Sequence, residues 1–313
     1  MSAGLWRYIA GRLVRAALTV FGVVTLVFLL VRIMPGDPVR VQLGDQASPE
    51  DVAEKRRELG LDKPLYAQYG AFLGDVAELT LGESWRKRPE TVMSLIAEVF
   101  PYTLALALAG LLVAWTIAVP LGSIAAARRG SSWDRAASLV ALVGLAVPVI
   151  FLGPLLILLF AVTLRVLPMP GDDARGLAAL SLPAITTGAA LAAILTRQTR
   201  AAMIEVLSEQ YILAARARGL ATIRVLVKHA LRNALLPVMT VGAAQLGALL
   251  SGAVIAEKIF ERPGIGSLFL DAFFSRDLPV VQGCALVFAL LYVLVNLAVD
   301  LAYGIVDPRV RLA

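Results

Sequence analysis

Five stretches of the chain contain no Asp, Glu, Lys or Arg over 21 to 29 residues, namely 99–127, 136–164, 176–196, 233–256 and 278–299. A helix crosses the bilayer core with about 20 predominantly apolar residues. A sixth run, 13–33, carries only Arg15 and Arg32, near its ends, where long basic side chains reach the headgroups. The sequence therefore predicts an all-α integral membrane protein with six transmembrane helices.

The distribution of positive charge predicts the orientation of these spans. Residues 1–15, 128–135, 197–232 and 300–313 together hold 15 Lys and Arg against 5 Asp and Glu, whereas the opposite set of segments holds 14 against 18. Short loops rich in Lys and Arg stay in the cytoplasm. We therefore expect both termini to be cytoplasmic, and the net charge of +6 needs no nucleic acid as its explanation.

The segment between the first two spans has the start signals of a helix. Ser48 is a suitable N-cap, Pro49 suits the first helical position, acids follow, and Gly60 is a stop signal, so we predict a helix over 49–59. A second helix is expected from Pro64, with a broken apolar stripe formed by Leu65, Tyr69, Phe72, Leu73 and Val76. The pair of helices either covers the outer ends of the spans or meets a soluble partner.

The cytoplasmic loop 197–232 is long, basic and patterned. A short helix is predicted from an N-cap at Ser208 to Gly219, which turns left-handed at little cost, and Tyr211 and Arg218 are exposed anchor candidates beside small Ala214 and Ala215. A second helix is predicted from an N-cap at Thr222. Its apolar face comprises Ile223, Leu226, Val227, Ala230, Leu231 and Ala234, and its basic stripe Arg224, Lys228 and Arg232. An interfacial helix under anionic headgroups is the alternative interpretation of that stripe.

The run YILAARARGLATIRVLVKHALRNALLP, residues 211–237, resembles the cytoplasmic loop of binding-protein-dependent ABC importer permeases of the dipeptide, oligopeptide and nickel branch. The likeness extends over nearly the whole chain, through IMPGDPV (33–39), ELGLDKPLYAQY (58–69), EKIFERPGIG (257–266), DLPVVQG (277–283) and NLAVDLAYGIVDPRVR (296–311). The general loop motif begins Glu-Ala-Ala, but Leu213 stands at the acidic place here. Glu209 and Arg218 are therefore the candidates to bind the partner.

The resemblance implies a type I importer permease fold, with an anchor and external helical loop over 1–98, a five-span core over 99–304 and a cytoplasmic tail over 305–313. It implies that the loop 197–232 docks on a separate ATPase subunit through Glu209, Tyr211, Ala214, Ala215, Arg218 and Gly219. It further implies a second permease, by family habit a different chain, two ATPase subunits that use ATP and Mg, an extracytoplasmic substrate-binding protein, and the cytoplasmic membrane of a bacterium or archaeon.

Two further groups of residues are candidates for the transport pathway. On the predicted span 233–256, three small residues recur at intervals of four: Ala243, Gly247 and Ser251. This spacing favours a helix interface over pathway lining. Gln245 is the most polar residue near the middle of that span. Glu257, Phe260, Pro263 and Gly264 lie in an external segment with turn residues. The resemblance implies that this segment contacts the binding protein or forms an outer gate, and an ordinary re-entrant connector is the alternative.

The chain lacks the motifs of several other activities. One Cys and one His, Cys284 and His229, exclude a Cys/His metal cluster, and no glycine is followed by lysine as in a phosphate-binding loop, so we expect no cofactor and no ATP hydrolysis here. An ion-coupled secondary carrier is disfavoured because no ionisable residue lies mid-span; a purely structural scaffold is a third interpretation. Peptide is the expected cargo, with nickel chelates, glutathione and sugars as alternatives.

Overall fold

The computed structural model describes residues 3–33, 36–44, 47–172 and 176–306, and its regular elements are almost entirely helical. The α-helices are α1 (Ala3–Ile33), α2 (Pro38–Leu43), α3 (Pro49–Glu58), α4 (Leu65–Ala77), α5 (Val92–Ala127), α6 (Ser132–Ala146), α7 (Val149–Leu156), α8 (Ser181–Leu207), α9 (Gln210–Ala217), α10 (Thr222–Arg224), α11 (Arg232–Ala244), α12 (Leu246–Ile259), α13 (Ile265–Ser275) and α14 (Leu278–Val306). Two π-helical stretches, Ile157–Thr163 and Val225–Leu231, and a 3₁₀ turn, Ala178–Leu180, complete the set. Most of the predicted tail 305–313 lies outside the described residues.

Four helices of the described residues are long and apolar enough to cross a membrane: Ala10–Ile33, Val92–Ala127, Ala178–Leu207 and Leu278–Ala298. The predicted span 136–164 is not straight, because the helices Ser132–Ala146 and Val149–Thr163 meet at an angle of 104° around Pro148. If these two helices are counted as one span, the number of spans is five. The predicted span 233–256 divides at Gln245 into α11 and α12. The all-helical membrane fold is confirmed, whereas the count of six spans is not.

The chain divides into two compact units, 1–103 with 263–313, and 104–262. In the first unit, α14 packs along α1 and α13. Its core includes Val24 and Phe28 of α1, Phe72 of α4 and Ile265 of α13, each less than 7 % exposed. Of the helices between the first two spans, α4 therefore shares a hydrophobic core with the spans.

Both helices predicted between the first two spans are confirmed, with their end signals. The Ser48 hydroxyl accepts the Asp51 N–H and the Asp51 carboxylate accepts the Ser48 N–H, a reciprocal capping box, and Gly60 adopts a left-handed φ of +67° just after α3. The second helix, α4, begins after Pro64. Its Tyr69 hydroxyl lies 2.7 Å from the Thr25 hydroxyl of α1. This contact favours the covering role of α4 over a free docking surface.

In the second unit α8 is the central helix, in contact with α6, α7, α11 and α12. Its small residues permit close approach, which in lipid replaces the hydrophobic drive for packing. A Cβ built on Gly188 would lie 2.6 Å from the Gly110 carbonyl of α5, and one built on Gly122 would lie 2.6 Å from Thr199 Cβ. The α5–α8 interface therefore requires glycine at these positions.

We expect Gly188→Ala to destabilise the protein by about 1–3 kcal/mol, because the new methyl group meets the backbone of α5, which cannot move aside locally. Thermal unfolding of the purified protein measures the effect. Gly74→Ala on α4 is the matched control: it is also a helical glycine, but nothing lies within 4 Å of its Cβ position, so the change should be neutral or stabilising. Equal melting temperatures for the two variants would contradict the packing argument.

Candidate functional site

The turn at Gly219 lies at the centre of the candidate coupling loop. Gly219 has φ +75° and follows α9, and its N–H donates to the Arg216 carbonyl at 2.9 Å. Nothing lies within 4 Å of the position that a Cβ would take. The left-handed stop predicted from the sequence is therefore confirmed, and the backbone conformation rather than crowding is what requires glycine here.

Both predicted N-caps of this loop are wrong. The Ser208 hydroxyl donates to the Glu205 carbonyl at 2.6 Å, at the end of α8, and the residue that precedes α9 is Glu209, which makes no side-chain cap. Thr222 is the first residue of α10, after Ala221. Serine and threonine bond to nearby carbonyls as readily as they cap, and sequence alone does not distinguish the two.

The predicted apolar face of the helix after Thr222 is confirmed for Leu226, Ala230, Leu231 and Ala234, which belong to one hydrophobic core or pack against it, but it is wrong for Ile223 and Val227. The stretch Val225–Leu231 is π-helical, so the buried residues are Val225, Ala230 and Ala234, spaced by five and then four. Ile223 and Val227, assigned to the buried face, are 68 % and 56 % exposed. A π-helical turn has more residues than an α-helical turn and rotates the pattern. The result is an apolar surface next to Gly219.

Most of the candidate coupling residues are exposed. Glu209, Tyr211, Ala214, Arg218 and Gly219 are exposed, while Ala215 is buried beneath them. The Tyr211 hydroxyl accepts the side-chain N–H of Asn233 at 2.6 Å, which holds α9 against the first turn of α11. Exposed Leu213, Ile223 and Val227 supply apolar area on the same segment. Such a surface has the aromatic, Arg and apolar groups that protein interfaces favour.

An ion pair that sequence analysis missed joins α6 to α8. Arg200 donates to Asp134 through Nε at 2.6 Å and Nη2 at 2.9 Å, and Asp134 also accepts the Gly130 N–H at 2.9 Å. The Asp134 side chain is 7 % exposed and that of Arg200 32 %. Both residues belong to segments that we predict to be cytoplasmic. The bidentate pair fixes the start of α6 against α8, whose C-terminal end leads into the coupling loop.

The candidate pathway residues lie around the break between α11 and α12. Gln245 separates the two helices, Ala243 belongs to α11, and Gly247 is buried in α12. The side chain of Ser251 lies outside the described residues. A close approach lies beside the stripe at Gly242, where a Cβ would lie 2.9 Å from the ring of Trp115. Whether the stripe lines a pathway or a helix interface stays a prediction.

The candidates for a binding-protein contact or an outer gate are mostly buried. Glu257, Phe260 and Gly264 are buried, Pro263 is partly exposed, and the exposed residue of the turn is Glu261, with φ +49°. Burial favours an internal role for this segment over direct contact with a partner, and the predicted contact stays a prediction. A buried carboxylate nearby in sequence, Asp277, accepts the Trp85 N–H at 3.0 Å and the Ser84 hydroxyl, which anchors the turn before α5 to the start of α14.

Comparison with known proteins gives two family matches. The family described as binding-protein-dependent transport system inner membrane component matches residues 118–312, and its N-terminal counterpart matches residues 5–107. The chain is 44% identical to a di/tripeptide transport system permease of Pseudomonas aeruginosa, over 97% of the chain and 98% of that protein. It is 39% identical to a dipeptide and 40% identical to a glutathione transport system permease of Escherichia coli K12, each again over 97% of the chain and 98% of the relative.

Proposed function

The chain belongs to the family of binding-protein-dependent transport system inner membrane components, and from this we propose that it forms half of the pathway of an ATP-driven peptide importer. Membership makes it a multi-pass permease subunit of the inner membrane rather than an enzyme, one that works with ATPase and substrate-binding partners. The observation that carries the cargo class is the full-length likeness to three permeases whose names specify di/tripeptides, dipeptides and glutathione. All three cargoes are short peptides.

We further propose that the exposed surface around α9 and Gly219 docks on an ATPase subunit. The support is the exposure of Glu209, Tyr211 and Arg218 together with the apolar side chains of Ile223 and Val227 on one loop. ATP and Mg²⁺ bind to the partner subunits in this proposal, because this chain has no phosphate-binding loop. Closure of two ATPase subunits then moves the inner ends of the spans, and the two states differ in affinity for cargo.

The assembly that we propose has a second, different permease chain, two ATPase subunits and an extracytoplasmic binding protein. Both termini face the cytoplasm in this arrangement, which the excess of Lys and Arg in the short loops supports. The same orientation puts the Asp134–Arg200 pair and the loop after α8 on the side of the ATPases. The helical segment of α3 and α4 is then extracytoplasmic.

The complete assembly is reconstituted in proteoliposomes with its ATPase subunits facing the lumen. We expect these vesicles to accumulate a labelled dipeptide only when ATP is inside them and the binding protein is outside. Omission of this chain should abolish uptake, and a protonophore should leave it unchanged. Uptake that continues without ATP but stops with the protonophore would contradict the proposal and favour an ion-coupled carrier. Uptake of nickel chelates or sugars in place of peptides would contradict the cargo assignment alone.

A further inference from the structure

A cavity of about 630 Å³ lies within the unit formed by 1–103 and 263–313. The loop after α3, the helix α4, the turn around Gly82 and the start of α14 bound it. Its volume falls in the range of about 300–1,000 Å³ that is typical of small-molecule sites. Its lining includes both cationic and anionic side chains, which distinguishes it from a lipid-filled gap.

Arg32 supplies a fixed cation to this lining. Its Nε and Nη2 donate to Gln68 Oε1 at 3.1 and 3.0 Å, and its guanidinium carbon lies 4.3 Å from the centre of the Phe28 ring. The third nitrogen, Nη1, is buried and finds no acceptor in the described part of the chain. A buried N–H of a charged group without an acceptor is costly, so the geometry favours an anionic group brought in from outside.

Gln282 of α14 adds a second unsatisfied donor. It lines the same cavity, is 5 % exposed, and its Nε2 donates to no residue among those described. Buried amides in folded proteins nearly always have hydrogen-bond partners. Arg32 and Gln282 therefore line one cavity, and each has one buried donor without an acceptor among the described residues. A carboxylate offers two oxygens as acceptors.

The lining also contains four acids, Glu58, Asp75, Glu78 and Glu83, and Arg88 of the same lining lies 2.8 Å from Glu58 and 3.9 Å from Glu83. Burial raises the pKa of Asp75, and the negative charges of Glu78 and Glu83 raise it further. Gly82 has φ +81° and a Cβ there would lie 3.2 Å from Asp75 Oδ2, so glycine leaves the carboxylate its room. No described side chain donates a hydrogen bond to the Asp75 carboxylate. A cation beside Asp75 would relieve its repulsion by Glu78 and Glu83.

We propose that this cavity binds a short peptide as a zwitterion, with its carboxylate toward Arg32 and Gln282 and its ammonium group toward Asp75. The inference rests on the proposed peptide cargo and adds to it a subsite on the permease itself, away from the coupling loop. A ligand with both charges satisfies the two unpartnered donors and the clustered acids together. A free anion or a metal cation would satisfy only one side.

The test is equilibrium binding of radiolabelled Ala-Ala to the assembled permease and ATPase complex in nanodiscs, without the binding protein. We expect saturable binding that Asp75→Asn weakens about thirtyfold, through loss of one buried charge partner. N-acetyl-Ala-Ala lacks the ammonium group, so it should bind weakly and equally to the wild type and to Asp75→Asn. Glu90→Gln, an exposed acid outside the cavity lining, is the matched control and should bind Ala-Ala as the wild type does.

Several results would overturn the inference. The first is that the wild type shows no saturable binding of Ala-Ala. The second is that Asp75→Asn weakens the binding of acetylated and free Ala-Ala by the same factor. The third is that Asp75→Asn binds Ala-Ala normally but no longer docks the binding protein. The last result would assign the cavity to the binding protein. If the wild-type assembly takes up dipeptides with ATP but the nanodisc complex binds none, the cavity inference fails while the proposed function stands. If the wild type takes up no peptide, the proposed function fails.

Discussion

Gly219→Val is expected to remove most ATP-driven peptide uptake while the protein still folds. Gly219 has φ +75°, a region in which a residue with a Cβ is strained by about 1–2 kcal/mol, and a β-branched residue is among the least tolerated. Relief of the strain reorients α9 against the helix that begins at Thr222. A shift of 1.4 kcal/mol corresponds to about a tenfold smaller population of the docking-competent loop.

Uptake into proteoliposomes, ATP hydrolysis and co-purification of the ATPase subunits separate the consequences of Gly219→Val. We expect the ATPase subunits either to detach or to hydrolyse ATP without uptake. Gly44→Val is the matched control and should leave uptake normal, because Gly44 also has a positive φ, +87°, and nothing within 4 Å of its Cβ position, but lies just after α2 and outside the cavity lining. Normal transport by Gly219→Val would contradict the docking assignment.

The features that the sequence predicted well are those fixed by local chemistry. Runs without charge locate the helices, because lipid leaves no other solution for the backbone. Ser48 and Asp51 are three residues apart and form their capping box wherever the helix lies. Gly60 and Gly219 adopt left-handed conformations that few other residues tolerate. Each of these signals acts within one helical turn.

The features that the sequence did not predict depend on competition between local alternatives. The helix after Thr222 has an α-helical pattern, yet burial of Val225 and Ala230 through a π-helical turn leaves Ile223 and Val227 exposed. Four prolines lie within predicted spans, Pro120, Pro148, Pro154 and Pro183. Only Pro148 lies at the bend of 104° between α6 and α7. A proline permits a bend, and the packing around it determines whether the bend occurs.

Contacts between distant residues form the rest of what was missed. Asp134 and Arg200 are 66 residues apart, and each alone resembles an ordinary polar residue near a span end. Three residues of the proposed peptide cavity, Arg32, Asp75 and Gln282, come from α1, α4 and α14. No periodicity connects such positions, so only the three-dimensional packing brings them together.

Asp134→Ala is expected to destabilise the protein by about 2 kcal/mol. Loss of one partner of a fully buried pair costs about 3–5 kcal/mol and loss of an exposed pair about 0–1 kcal/mol. The Asp134 side chain is 7 % exposed and that of Arg200 32 %, so the pair lies between these limits. Thermal unfolding of the detergent-solubilised protein measures the change. Glu58→Ala, which removes surface ion pairs with Lys55 and Arg88, is the control and should have little effect.

The double variant Asp134→Ala/Arg200→Ala tests the physical reason. Most of the cost of Asp134→Ala is expected to come from the partly buried guanidinium that it leaves without an acceptor, rather than from the attraction it removes. Removal of Arg200 as well relieves that cost, so the double variant should lose less stability than the two single variants together. Strict additivity would mean that the two side chains act independently. The first turn of α6 would then be held against α8 by apolar packing alone.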